Sequence, residues 1–190
     1  MPKENRKQII LQSLASLLEE RNLSKVTTAL LAEKSSITEA ALYRHFPSKR
    51  SIYAELFSFC DDTVFAKCNE LKKEKISSKD KVKNAFIFFM IFIEKNKGFA
   101  RLLSREALSS NEQNVSENVN QFYERFELVL RQILKEDEKN LLTQPGISAQ
   151  LIITVLEGNI GRYIRSKFKD SPSNYIENIW NLLSLSIFKS

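Results

Sequence analysis

The sequence predicts an all-α protein of about nine helices, on the strength of its composition and its apolar periodicity. Only four of the 190 residues are glycine and four are proline, although 43% of the chain is apolar. That composition supplies few of the turn residues that a β architecture requires. Through most of the chain, apolar residues recur roughly every three to four positions, which is the period of an amphipathic helix.

The N-terminal residues predict three helices, two of them joined as a helix-turn-helix. The first is expected over about 5–21, where apolar residues follow the helical spacing. A short second helix over 28–34 starts from a Thr27 cap, because a threonine hydroxyl accepts a hydrogen bond from the first turn. Residues 35–37 then make a tight turn, and Thr38 caps the third helix.

The most informative stretch runs from Thr38 to Lys49. Pro47 ends the third helix, because the residue before a proline is pushed out of the α region. Ser48 then caps a fourth helix, whose first turn carries Lys49 and Arg50. Cations at this end of a helix oppose its dipole, so local stability does not explain them. A bound anion would explain them, and a nucleic-acid phosphate is the leading candidate.

Six helices are expected from Ser48 onward. The helix over about 80–95 is apolar nearly all round, so it is either enclosed by other helices or leaves one face open for a partner. The polar segment 109–118 predicts a loop. We expect a basic helix-turn-helix headpiece at 1–50 and a helical dimerisation and partner-binding body at 51–190. The six helices are predicted at 48–75, 80–95, from about 99 to 108, 119–134, 148–168 and 173–188.

Most of the net positive charge lies in the headpiece. The chain carries 29 basic and 23 acidic residues, a net charge of +6. Nine basic and five acidic residues fall within 1–50, whereas 51–190 holds 20 and 18. A local excess of this kind suits a polyanionic partner, although a solvated basic face is the simpler alternative.

The sequence argues against an enzyme. His45 is the only histidine, which excludes a histidine-based metal cluster. The chain has no glycine-rich phosphate loop, no plausible Ser/His/Asp set and no Cys/His nucleophile pair. We therefore expect no catalytic residues, no metal and no cofactor.

The two cysteines indicate a reducing compartment. Cys60 and Cys68 would lie on one helix with about 12 Å of rise between them, beyond the roughly 7 Å at which a disulfide forms. The N-terminal segment is charged, unlike a signal peptide. The longest apolar run, 85–93, is far shorter than a membrane span. A cytoplasmic protein is expected.

The pattern Leu42-Tyr43-x-His45-Phe46-x-x-Lys49, between a three-helix headpiece and a long helix, resembles the TetR family of regulators. The resemblance is closer still to the branch of that family whose members are nucleoid occlusion factors. It covers essentially the whole chain, which matters because TetR headpieces are shared by many regulators while their bodies are not. Strings similar to that branch lie at 10–15, 39–49, 94–98, 120–127, 130–134 and 165–169.

A helix-turn-helix places its second helix in the major groove of DNA. Four residues at the start of that helix would face base edges, and the others would fasten the phosphate backbone. The alternative for Tyr43 and His45 is a role in the core or the turn. The base-facing residues are Thr38, Glu39, Ala40 and Ala41, and the backbone-facing residues are Thr27, Thr28, Tyr43, Arg44, His45 and Lys49.

The resemblance also implies a partner. Nucleoid occlusion factors of this branch bind the C-terminal tail of the tubulin-like division GTPase FtsZ in a groove between their fourth and fifth helices. An apolar groove flanked by lysines suits an extended tail that mixes apolar and acidic residues. Core packing is the alternative for each phenylalanine. The matching positions are Phe59, Lys67, Phe88, Ile91, Lys95 and Asn96.

The last two helices are too apolar to be an exposed surface, so a four-helix interface between two subunits is expected. TetR-type proteins dimerise in this way, and intramolecular packing is the alternative. A homodimer would read a palindromic site in successive major grooves about 34 Å apart, and two dimers per site are left open. The interface residues expected are Leu151, Val155, Gly158, Ile179, Trp180 and Leu183.

The function that the resemblance implies is nucleoid occlusion. Bound to chromosomal sites, the protein would bind FtsZ and inhibit its assembly into the division ring over the nucleoid. It would be cytoplasmic and nucleoid-associated, with no membrane partner. The alternative is a ligand-responsive transcriptional repressor of the TetR type, with a small-molecule pocket among the fifth to eighth helices. A closed, well-packed body favours the first reading, and a large enclosed cavity favours the second.

Overall fold

The computed structural model describes residues 3–20, 26–105 and 113–189. Within these residues the protein has nine α-helices, and its only β pairing is an isolated antiparallel bridge between Leu141 and Phe188. The all-α prediction is confirmed. The helices are α1 (Lys3–Glu20), α2 (Thr28–Lys34), α3 (Glu39–His45), α4 (Lys49–Lys73), α5 (Ser78–Lys95), α6 (Lys97–Leu103), α7 (Gln113–Lys135), α8 (Pro145–Arg165) and α9 (Ile176–Ile187).

The loop predicted at 109–118 is wrong from Gln113 onward, because α7 begins there. Val115 and Val119 are fully buried one turn apart, so they extend the apolar stripe of α7 despite the polar residues between them. Residues 109–112 lie outside the described part of the chain. The bounds predicted for α6, about 99 to 108, are wrong, because the helix begins at Lys97 and ends at Leu103. Arg105 then adopts a left-handed conformation with φ of 60°, which an α-helix cannot continue through.

The bounds of α8 also differ from the prediction. The helix begins at Pro145, three residues early, because a proline at the first helical position needs no hydrogen-bond acceptor for its nitrogen. It ends at Arg165, because Lys167 and Phe168 adopt left-handed conformations with φ of 55° and 61°. The Phe168 N–H donates to the Tyr163 carbonyl at 2.9 Å, which closes the helix end.

The chain divides into two compact units. The first unit comprises residues 1–61 and 96–119, and the second comprises 62–95 and 120–190. The division predicted at residue 50 separates a DNA-binding headpiece from the body, and it stays a prediction.

In the first unit, α1 packs against α2, α3 and α6. Leu14 and Leu18 on α1 are fully buried. The contact between α1 and α6 depends on Gly98, where a Cβ atom would lie 2.9 Å from the Ala15 carbonyl oxygen and 3.2 Å from Leu18 Cβ. The absence of a side chain at Gly98 therefore sets how closely α6 approaches α1.

In the second unit, aromatic side chains fill the core between α5 and α7. Phe89, Phe122 and Phe126 are fully buried, and the ring centroids of Phe89 and Phe126 are 5.0 Å apart. Lys81 is buried as well, and its Nζ donates to Glu136 Oε2 at 2.7 Å and to the Lys72 carbonyl at 3.2 Å. These contacts satisfy a charge whose burial would otherwise be costly.

The turn between α2 and α3 is closed without a glycine. Ser36 adopts the left-handed region with φ of 54°, and the Ile37 N–H donates to the Ala32 carbonyl at 3.0 Å. A non-glycine residue pays a steric penalty in this conformation.

Replacing Ser36 with glycine is expected to raise the free energy of unfolding by about 0.5 kcal/mol, because relief of the left-handed strain exceeds the added chain entropy. Chemical denaturation monitored by circular dichroism measures the change. The control is Ser58→Gly, at an exposed position inside α4, where glycine lowers stability by a few tenths of a kcal/mol. If both variants change the free energy of unfolding in the same direction, the expectation for Ser36 is wrong.

Candidate nucleic-acid interface and partner surfaces

The N-termini of α2 and α3 are fixed by threonine caps. Thr27 Oγ1 accepts a hydrogen bond from the Leu30 N–H at 3.1 Å, and Thr38 Oγ1 accepts one from the Ala41 N–H at 3.2 Å. Each cap uses the oxygen as an acceptor, so each hydroxyl proton can still be donated, by Thr27 to a phosphate oxygen and by Thr38 to a base edge. Both threonines are exposed, as a contact with DNA requires.

Two of the predicted DNA-contacting residues bind each other. The Thr28 hydroxyl donates to Glu39 Oε2 at 2.7 Å and thereby joins the start of α2 to the start of α3. The acidic Glu39 also lies in the first turn of α3, where it complements the helix dipole. Ala40 is exposed beside it, and Ala41 is half-buried, so small side chains surround the carboxylate.

The C-terminal part of α3 has one buried side and one exposed side. Leu42 and Phe46 are buried, whereas Tyr43 is 47% exposed and Arg44 is also exposed. His45 is half-buried, and its Nδ1 is a buried atom that meets no hydrogen-bond partner within the described residues. A contact from His45 to DNA would therefore have to use Nε2.

Lys49 and Arg50 begin α4, whose first turn contains no acidic residue. Ser48 and Ser51 cap this end reciprocally, with the Ser51 N–H donating to Ser48 Oγ at 3.1 Å and the Ser48 N–H to Ser51 Oγ at 3.2 Å. The Lys49 Nζ lies 5.4 Å from the centroid of the buried Tyr53 ring, which holds the ammonium beside the helix start. Positive charge and helix dipole thus favour the same anion.

All ten predicted DNA-contacting residues are exposed or half-buried, and all lie in the first unit. They come from the starts of α2, α3 and α4 and from the exposed side of α3. Across residues 3–20, 26–105 and 113–189, no group of three or more histidine, cysteine or acidic side chains is placed to hold a metal ion. Within the same ranges, no helix combines the length and apolar character needed to cross a membrane.

The six predicted FtsZ-contacting residues are divided between the units. Phe59 and Asn96 belong to the first unit, where both line a groove of about 340 Å³ bounded by α1, α4 and α6. Phe59 is 65% exposed, which is unusual for a phenylalanine.

The other four residues lie in the second unit. Phe88, Ile91 and Lys95 share one face of α5, because they are three and four residues apart. Ile91 is 37% exposed, and Phe88 is half-buried and stacked on Phe92 at a centroid distance of 5.9 Å. On α4, the Lys67 Nζ pairs with Glu70 at 3.2 Å. α5 therefore presents an apolar face that ends in a lysine.

Apolar residues on α8 and α9 are divided between core and surface. Leu151 and Gly158 are exposed, and Val155 and Ile179 are half-buried. In contrast, Trp180 and Leu183 are 2% and 6% exposed within a single protomer, so they pack inside the subunit. The exposed apolar residues of α9 are Leu182 at 68% and Leu185 at 70%, which the sequence analysis did not select. The periodicity of α9 was the signal, since these two residues lie opposite its buried side.

The two cysteine thiols are structural. Burial raises the pKa of the Cys60 thiol to about 12 and that of Cys68 to about 11, so both thiols stay protonated and unreactive. The cysteines are free, as predicted.

Glu94 ties the end of α5 to the segment before α9. Burial raises the pKa of its carboxyl, but hydrogen bonds from Ser171 and Ser173 outweigh that effect and hold the pKa below its ordinary value. The Ser173 N–H and hydroxyl donate to this carboxylate at 3.0 and 3.1 Å. The Tyr163 hydroxyl donates to the Glu94 carbonyl at 3.2 Å. This anchoring fixes the helix end that carries Lys95.

Comparison with solved structures supports the fold. NalD of Pseudomonas aeruginosa, a secondary repressor of the MexAB-OprM multidrug efflux pump, superposes with a TM-score of 0.80 over 98% of this chain and 99% of its own, at 15% identity. FadR of Bacillus subtilis, a transcriptional regulator solved with stearoyl-CoA, gives a TM-score of 0.78 over 95% of this chain and 98% of its own, at 14% identity. At these identities the likeness concerns the fold alone.

Comparison of sequences is more specific. Residues 10–56 match the bacterial regulatory proteins of the tetR family, and residues 78–187 match the SlmA-like form of the tetracyclin repressor-like C-terminal domain. The nucleoid occlusion factor SlmA of Vibrio vulnificus is 35% identical over 190 aligned residues, covering 97% of each chain. That of Shewanella woodyi is 33% identical over 193, covering 100% of this chain and 98% of its own. The chain therefore belongs to the TetR family, and within it to the SlmA nucleoid occlusion factors, which makes it a DNA-binding, dimer-forming regulator and not an enzyme.

Proposed function

We propose that the protein, bound to chromosomal DNA as a homodimer, binds the C-terminal tail of FtsZ and inhibits FtsZ assembly over the nucleoid. The observation that carries this proposal is the 35% identity to SlmA, which extends over 97% of the chain and so is not confined to the headpiece. A likeness confined to the headpiece would have supported DNA binding alone.

The exposed side chains fit this partner. Ile91 and Phe88 offer apolar contacts on α5, and Lys95 offers a positive charge at the end of the same helix. Lys67 supplies a second cation, since its pair with Glu70 is exposed and such pairs are worth little. Apolar contacts with flanking cations suit an extended tail that mixes apolar and acidic residues.

The aromatic core of the second unit supports the division factor over a ligand-responsive repressor. Phe89, Phe122 and Phe126 occupy the space between α5 and α7 in mutual ring contact. In a TetR-type body, that is where a small-molecule pocket would be sought. The close packing of these rings leaves this part of the core filled by the protein itself.

We further propose that ten headpiece residues bind a palindromic DNA site. Those at the start of α3 would face base edges, and those around them would hold phosphates, with half-sites about 34 Å apart. The dimer would bury the exposed apolar residues of α8 and α9, including Leu151, Leu182 and Leu185. Burial of such side chains is the main driving force for association.

The test uses a fluorescent peptide of the FtsZ C-terminal tail from the same organism. Lys95→Glu is expected to lower its affinity at least about tenfold, because it replaces an attraction for acidic residues with a repulsion. The matched control is Lys75→Glu, which makes the same charge change at an exposed lysine outside α4 and α5. DNA affinity should be unchanged in both variants.

A second measurement tests inhibition. Light scattering should show that the protein with its DNA site suppresses polymerisation of FtsZ with GTP, and that Lys95→Glu relieves this suppression. Unaltered FtsZ polymerisation in the presence of the wild-type protein and DNA would refute the proposed function.

A further inference from the structure

We infer that α1, the first helix of the DNA-binding headpiece, forms one wall of the site for the FtsZ tail, with Leu11 and Gln12 as binding residues. This inference rests on the proposed function. It concerns the groove of the first unit that Phe59 and Asn96 line, because α1 supplies the wall facing these two residues. Neither the sequence patterns nor the resemblance selected any residue of α1 for partner binding.

The groove is built mainly from apolar surface. Its floor includes the buried side chains of Leu56 on α4 and Phe99 on α6, and Phe59 stands at its edge, largely exposed. Leu11 is half-buried on the α1 side, and Ala15 follows one turn later. The volume of about 340 Å³ lies within the range of roughly 300–1,000 Å³ that is typical of binding pockets. The groove can therefore take apolar side chains of a bound peptide.

The polar residues of α1 indicate how a peptide would lie. Gln8 and Gln12 line the groove one turn apart. A carboxamide both donates and accepts hydrogen bonds, so it can pair with the backbone of an extended segment. These two side chains therefore offer backbone contacts along the direction of α1.

The charge of the groove limits which part of the tail binds there. Glu19 is the single charged residue among the described residues that line it. A carboxylate repels acidic residues, so the groove suits the apolar part of the tail.

The binding test changes Leu11. Leu11→Glu is expected to lower the affinity for the FtsZ tail peptide about tenfold or more, because it places an unpaired carboxylate against the apolar part of the tail. Leu11→Met keeps the apolar contact and should bind within about twofold of wild type. Both substitutions are compatible with a helix. Thermal melts and DNA affinity check that the headpiece stays folded.

A proximity test does not depend on affinity. A benzophenone attached to Gln12→Cys should cross-link to the bound tail peptide, since Gln12 lines the groove. The control is Glu33→Cys on α2, which is exposed and outside the groove. The native thiols Cys60 and Cys68 are buried. Because Cys60 also lines the groove, the wild-type protein treated with the same reagent is a second control and should give no cross-link.

The outcomes separate the inference from the proposed function. Loss of affinity in Leu11→Glu, together with a cross-link at position 12 alone, supports a tail that contacts α1. A different outcome refutes the role of α1 and leaves the proposed function intact. In that outcome Lys95→Glu lowers the affinity for the tail peptide, Leu11→Glu leaves it unchanged, and the probe at position 12 gives no cross-link. If the wild-type protein fails to bind the peptide, both are refuted.

Discussion

Replacing Gly98 with valine is expected to lower the free energy of unfolding by about 3 kcal/mol and to abolish DNA binding at physiological temperature. A Cβ at this position would lie 2.9 Å from the Ala15 carbonyl oxygen. That oxygen belongs to the backbone of α1 and cannot rotate away as a side-chain atom could. α6 would be forced off α1, which also packs against α2 and α3.

Gly98→Ala separates helix propensity from packing. Alanine gains about 1 kcal/mol over glycine in a helix interior, and at most that at Gly98, the second residue of α6. Overpacking against a fixed backbone costs about 1–3 kcal/mol. We expect the cost to exceed the gain, so that this variant is destabilised by about 1 kcal/mol. Urea denaturation and DNA binding by fluorescence anisotropy measure the two effects.

The matched control is Gly146→Ala. A Cβ there would meet only Arg131 Nε at 3.9 Å, which is ordinary contact. This variant should therefore be neutral or slightly more stable than the wild type, by up to about 1 kcal/mol. Equal stabilisation by alanine at Gly98 and Gly146 would show that close approach of α6 to α1 is not required.

Replacing Lys49 with alanine is expected to weaken DNA binding at least about 100-fold at low salt. A dimer loses two phosphate contacts, and a charged hydrogen bond contributes about 1.5–3 kcal/mol, while each 1.4 kcal/mol corresponds to about tenfold. The slope of log affinity against log salt should fall in magnitude by about two, because two fewer counterions are released. Sequence preference should be unchanged, since phosphate contacts carry no base information.

Fluorescence anisotropy with a specific and a scrambled duplex, over a series of salt concentrations, measures both quantities. The control is Lys75→Ala, which removes the same charge from an exposed position in the second unit. If the salt slope of Lys49→Ala equals that of the wild type, Lys49 does not contact a DNA phosphate. A change in the ratio of specific to scrambled affinity would assign it a role in base readout.

Local signals in the sequence were sufficient for the headpiece. The caps at Thr27 and Thr38 were predicted from residue type and spacing, and both make the expected hydrogen bond. Pro47 ends α3 for a reason confined to the neighbouring residues. These predictions succeeded because each depends on contacts within about one helical turn.

Other features depend on contacts between segments far apart in sequence. The bond from Thr28 to Glu39 joins residues eleven apart, and the groove beside Phe59 needs α1, α4 and α6 together. The start of α7 was missed because Val115 and Val119 are buried by tertiary packing, although polar residues surround them in the sequence. Local helix propensity predicts the ends of a helix poorly where tertiary packing determines which residues are buried.

The division of α9 between core and surface shows the same limit. The helical spacing of Ile176, Trp180, Leu183 and Ile187 marks its buried side. Leu182 and Leu185 on the other side are equally apolar, so residue type alone did not separate core from surface. Trp180 packs on Phe86 with a centroid distance of 5.9 Å, whereas Leu182 remains exposed. Packing against neighbouring helices determines which of these apolar side chains is covered.

The sequence by itself determined the helical class, the helix-turn-helix with its caps, and the family, because these follow from short-range periodicity and from residue identity along the chain. Tertiary structure decided which apolar side chains are buried and which remain available to a partner. It also decided how closely Gly98 approaches the backbone of α1 and that α1 borders the groove of Phe59. The physical reason is that burial and close approach are properties of the surfaces that helices present to one another, and those surfaces form only when distant segments pack.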